Sequence, residues 1–106
     1  MIPQQIELDH CPELNELQSH IGGGYLELVP GFRSIAHYDM IMDCIVYADE
    51  DGKRKKLEIN SIATILWDIA LRRNGTGLLR PDGRAVDWLV GPVVVLFGDR
   101  ELMAEL

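Results

Sequence analysis

Four arginines fall within thirteen residues, Arg72-Arg73-Asn74-Gly75-Thr76-Gly77-Leu78-Leu79-Arg80-Pro81-Asp82-Gly83-Arg84. Guanidinium groups bind phosphate or carboxylate through paired, charge-assisted hydrogen bonds, and interspersed glycines leave backbone amides open to an anion. Arg72, Arg73, Arg80 and Arg84 are therefore the leading candidates for a ligand grip. Trp88 or Trp67 could stack a base or a guanidinium beside them. Tyr25 and Asn60 are candidates for reading that base. A plainer reading competes. Arg72 and Arg73 would sit at a helix C-terminus, where cations complement the dipole, and Arg80 and Arg84 would pair with nearby acids.

Other chemistries find less support. His10, His20 and His37 are too scattered for metal-ligand spacing. His37, Asp39 and Asp43 could converge, but two-residue alternation along a strand already explains them as one polar face. Ser19, Ser34 and Ser61 lack a nucleophile elbow, and the adjacency of His10 to Cys11 is not a catalytic arrangement. Gly22-Gly23-Gly24 follows a helical pattern, whereas a phosphate-binding glycine loop precedes a helix. No catalytic constellation can be assembled, so a non-enzymatic protein without cofactor or metal is expected.

The basic residues are strongly localised. The chain has 106 residues and a formal charge of −7, yet eight of its ten Lys and Arg residues lie between Lys53 and Arg84. That segment carries a net +5, against −9 for residues 1–52 and −3 for residues 85–106. Such polarity bears on partners and steering rather than on fold. An acidic total argues against affinity for duplex nucleic acid. No apolar run reaches the roughly 18–20 residues of a spanning helix, and the N-terminal residues lack a secretory layout, so no membrane contact and a cytoplasmic location are expected. Cys11 and Cys44 read as free thiols packed as small hydrophobes.

The elements that must position these groups follow from pattern. Residues 2–8 alternate weakly, with Ile6 and Leu8 on one face of a short strand. Asp9 or Cys11 caps a helix with Pro12 in its first turn, and Leu14, Leu17 and Ile21 form its apolar stripe. The three glycines end it, and residues 25–29 form a strand. Residues 32–38 fit loop or strand. Residues 39–48 make a strand apolar on both faces, hence central in its sheet. Asp51-Gly52 signals a hairpin whose return strand runs through Lys53–Leu57, with lysines guarding an edge. Asn60 caps a helix with apolar residues at 62, 65, 66 and 69, ending near Arg72-Arg73 and Asn74-Gly75. Residues 75–87 form an ordered loop or second hairpin. Residues 88–97 form a core strand that Pro92 starts or interrupts, and Asp99 caps a terminal helix over 100–106.

Three segments carry a resemblance. They are Leu17-Gln18 through Ile21 to Gly23-Gly24-Tyr25-Leu26-Glu27; Asp51-Gly52-Lys53 to Asn60 and Ala63-Thr64; and Asp87, Val90-Gly91 and Val93-Val94-Val95. In order and spacing the chain resembles the small proteins of phages, plasmids and bacteria grouped as domain-of-unknown-function family 3846, over most of residues 14–98. The resemblance implies a phage or mobile-element setting and no particular activity. The shared positions also make sense as fold determinants, with Tyr25 burying its ring, Asn60 capping and Gly91 allowing close approach.

The expected fold is α+β over a single domain, residues 1–106: one mixed, mostly antiparallel sheet carrying two main helices and a short C-terminal helix. The expected function is that of a small binding module acting by contact with a host protein, as a regulator or an inhibitor of host defence. The alternative is a nucleotide-binding module that sequesters a phosphorylated small molecule through the 72–84 segment. A homodimer formed through the apolar 88–97 stretch is compatible with either.

Overall fold

The computed structural model describes residues 12–98. The expected opening strand over 2–8, the caps at Asp9, Cys11 and Asp99, and the terminal helix over 100–106 lie outside the described residues. Within them the chain is α+β, with six elements in the order α1 (Leu14–His20), β1 (Leu26–Leu28), β2 (Ser34–His37), β3 (Met40–Asp49), α2 (Ser61–Arg73) and β4 (Val93–Phe97).

β3 is the hub of a four-stranded antiparallel sheet. Its first half pairs with β2, from His37 opposite Met40 to Ser34 opposite Asp43. Its second half pairs with β1, Leu26 opposite Asp49, and also with β4, Cys44 opposite Phe97 through Ala48 opposite Val93. Ten residues of alternating character with apolar groups on both faces can satisfy two sets of neighbours at once. The ambiguous 32–38 segment resolves into β2, joined to β3 by the two-residue turn Tyr38-Asp39, with Tyr38 at φ 53°.

Cys44, Val46 and Ala48 face one core, where they meet Ala63, Trp67 and Ala70 of α2 together with Val29, Phe32, Leu78 and Leu89. Val46 and Ala70 are fully excluded from solvent. α2 begins as its sequence predicts: the Asn60 side chain accepts from Ala63 N at 3.1 Å. It runs two residues beyond Leu71, so Arg72 and Arg73 occupy the last turn before the C-cap Asn74. α1 buries Leu17, and its C-cap Ile21 is buried too, but Leu14 is exposed. Its N-cap is Glu13, which makes no side-chain capping bond, so Pro12 precedes the helix rather than entering its first turn. Gly23, at φ +87°, ends α1 by donating its N–H to Gln18 O at 2.7 Å.

The strand expected over Lys53–Leu57 does not form. Residues 51–56 wind into a tight turn instead, with Lys55 N donating to Asp51 O, Lys56 N to Lys53 O and Leu57 N to Gly52 O at 2.9, 3.1 and 3.1 Å. The cause is the buried carboxylate of Asp49. It accepts from Asp51 N at 2.9 Å and from Lys55 Nζ at 2.7 Å, gathering the following residues around itself. The lysines therefore guard no edge strand.

β4 starts after Pro92, so Trp88–Val90 is not part of it. These residues run instead beside the start of α2, with Asn60 N bonded to Leu89 O at 2.8 Å and Leu89 N to Thr64 Oγ1 at 3.0 Å. The preceding 78–86 segment closes as a small hairpin, through a bridge between Leu79 and Ala85. No helix among the described residues is long and apolar enough to cross a membrane.

Candidate functional site

A cleft of about 260 Å³ opens where β1, the end of β3, α2 and the 87–90 segment meet. α2 contributes Trp67, whose indole is buried and whose Nε1 donates to Pro30 O at 2.8 Å. That bond fixes the helix to the loop between β1 and β2. The pairing of 89 and 90 with the entry to α2 brings Trp88, 40% exposed, into the lining of the same cleft. β1 supplies Glu27, the end of β3 supplies Asp49 and Glu50, and the turn after β3 supplies Lys53. Both tryptophans of the chain line this one cleft.

The electrostatics are acidic. Glu27, Asp49, Glu50 and Asp87 line the cleft, against Lys53 as the one basic residue among the described residues there. Lys53 Nζ donates to Asp87 Oδ1 and lies over the Trp88 ring, 4.5 Å from its centroid. Asp49 is almost wholly buried yet kept ionised. The hydrogen bond from Lys55 holds its carboxyl below the ordinary range, outweighing burial, with the Asp51 amide assisting. Gly24 is what lets β1's approach pass this group, because a Cβ there would stand 2.8 Å from both Asp49 oxygens.

The arginines expected to grip an anion are placed elsewhere. None of Arg72, Arg73, Arg80 or Arg84 lines the cleft. Arg72 Nε pairs with Asp68 one turn earlier at 3.0 Å, and Arg73 Nη1 donates to Ser34 Oγ at 2.8 Å. Arg80 and Arg84 face each other across the small hairpin, Arg80 N bonding to Arg84 O at 2.8 Å, while the Arg84 side chain reaches only Asp82, at 4.0 Å. Tyr25 is 71% exposed rather than buried. Asn60 is buried with both ends of its amide in use, since Nδ2 donates to Gly91 O at 2.9 Å. Of the eight residues singled out from sequence, only Trp67 and Trp88 belong to the cleft.

The chain matches no protein-family model, no curated protein and no solved structure. Its chemistry is thus read from its own residues. Among the described residues no group of three His, Cys, Asp or Glu could hold a metal ion. His37 packs its ring against Phe97, 4.9 Å between centroids, rather than joining Asp39 and Asp43. The cleft's acidic wall leaves no local signal in the sequence, because Glu27, Asp49–Glu50 and Asp87 are far apart along it. The two tryptophans were the signal that could have located it.

A second surface is apolar. Ile62, Ile65 and Ile69 fall within about 60° of one another around α2, at 3.6 residues per turn. They are 43, 59 and 40% exposed, and Ile59, just before the helix, is 61% exposed. The opposite side of α2, with Ala63, Trp67 and Ala70, is the buried one.

Proposed function

We propose that this chain is a small non-enzymatic module that acts by contact with another protein, and that the isoleucine face of α2 is its contact surface. The observation that carries the reading is that face itself: Ile62, Ile65 and Ile69 on successive turns of α2, with Ile59 just before it, all substantially exposed. Scattered single apolar residues on a surface are ordinary, but a contiguous row on one helix marks a recognition surface. Anchors spaced three and four residues apart are how a helix engages an apolar groove of a partner. The rim is charged, with Glu58 exposed before the helix and Arg72 and Arg73 exposed at its end, which would orient the partner and limit non-specific association.

A partner in a bacterial host, with the chain as a regulator or an inhibitor of host defence, is part of this reading and rests on the sequence resemblance to the phage and plasmid family alone. The phosphate-gripping alternative has less behind it. Arg72 and Arg84 each have a carboxylate of their own, and the cleft's four acids would repel a phosphate.

The test is affinity capture from bacterial lysate, comparing the native chain with the triple variant Ile62→Gln, Ile65→Gln, Ile69→Gln. The variant is expected to keep its circular dichroism spectrum and to lose a partner that the native chain retains. Equal capture by both chains would remove the isoleucine face from the function.

A further inference from the structure

We infer that the cleft between Trp67 and Trp88 is a receptor for an organic ammonium cation, and that Lys53 is its built-in occupant. The chain itself displays the recognition chemistry. The Lys53 ammonium rests 4.5 Å from the Trp88 ring centroid and pairs with the Asp87 carboxylate, which together make a cation–π and ion-pair seat. Tryptophan offers the strongest aromatic face for such a cation.

Lys53 holds that seat loosely. Its side chain is 52% exposed and that of Asp87 43% exposed, and ion pairs so open to water are weak. A guest ammonium would compete with the lysine for both partners and displace it into solvent. It would also gain two carboxylates that line the cleft, Glu27 and Glu50, which make no ion pair among the described residues. Asp49 adds a further buried negative charge at the same end of β3, already matched by Lys55. The volume of about 260 Å³ accommodates a small alkylammonium group. The acids exclude phosphates and carboxylates, so the selectivity is for cations. None of the exposed isoleucines of α2 lines the cleft, so this site stands or falls apart from the protein-contact surface.

Because the chain's two tryptophans both line the cleft, their fluorescence reports on it directly. The experiment titrates the full chain with tetramethylammonium chloride at constant ionic strength, with tert-butanol as the uncharged control. A saturable change with tetramethylammonium and none with tert-butanol is expected. Lys53→Ala and Lys53→Gln should each tighten binding by roughly fivefold or more, by vacating the seat, and Asp87→Asn should weaken it by a similar factor. Spermidine and Nα-acetyl-lysinamide then distinguish a free polyamine from a protein's lysine as the source of the cation. The inference is overturned by the absence of saturation in the Lys53 variants, by an equal response to tert-butanol, or by affinities that Lys53→Ala and Lys53→Gln leave unchanged.

Discussion

The side chain of Asp49, only 2% exposed at the end of β3, accepts a hydrogen bond from Lys55 Nζ at 2.7 Å. The pair organises the turn that follows and the floor of the cleft. Lys55 is 43% exposed and can be solvated alone, but Asp49 cannot. Lys55→Met should therefore destabilise the fold by about 1–3 kcal/mol, because it leaves a buried carboxylate short of its charged donor. The pH dependence follows from the depressed Asp49 pKa. Its contribution is complete above the ordinary carboxylate value of 3.8 and is lost as pH falls through the lower folded value. Urea midpoints measured from pH 7 down to pH 2 should show this acid loss in the native chain. In Lys55→Met burial of the carboxyl is no longer offset by its main donor, so the part of the acid loss owed to Asp49 should shrink or reverse, and an unchanged profile would contradict the assignment.

Asn60 joins two parts of the chain that are otherwise separate. Its Oδ1 caps α2 at Ala63 N, and its Nδ2 donates to Gly91 O ahead of β4. Asn60→Asp preserves the cap and loses the donor, so it should cost less than Asn60→Ala, which loses both. The alanine variant should be about 2–4 kcal/mol less stable, the sum of a lost cap and a buried carbonyl left unpaired. Chemical denaturation of the two variants checks the order.

Cys44 is a buried thiol whose Sγ lies 3.7 Å from Phe32 O. Burial, with help from the Asp43 charge and against that of Arg73, pushes its pKa from 9.0 to about 11. The thiolate is the reactive form, so in a Cys11→Ser background native protein at pH 8 should react with a disulfide reagent only as fast as it opens. A raised thiol pKa stabilises the fold fully below pH 9.0, and that contribution disappears as pH climbs through about 11. Native and Cys44→Ala chains should therefore converge in stability between those values, as read from urea midpoints.

Much of the secondary structure was legible because its causes are local. Asn60 before a row of apolar residues at helical spacing specified α2, and the alternation through Met40–Asp49 specified β3. The hairpin expected at Asp51-Gly52 failed for a reason two residues upstream. Turn propensity favoured a hairpin, but the Asp49 carboxylate captured Asp51 N and Lys55 Nζ and wound the chain into a compact turn. Tyr25 has the residue type of a buried ring, but just ahead of the short strand β1 it lies open to solvent.

The arginine cluster illustrates the same division. Its density is a property of the chain, but whether four guanidiniums converge depends on partners. Asp68, Ser34 and Asp82 draw three of them to separate places. Residue order alone determined where helices and strands could begin and end, since capping, periodicity and proline act over a few neighbouring residues. Only the tertiary structure decided that Glu27, Lys53, Trp67 and Trp88 share one cleft. Those positions meet because β3 pairs with both β1 and β4 while α2 buries its tryptophan against them, and the burial of surfaces distant in sequence leaves no local pattern to read.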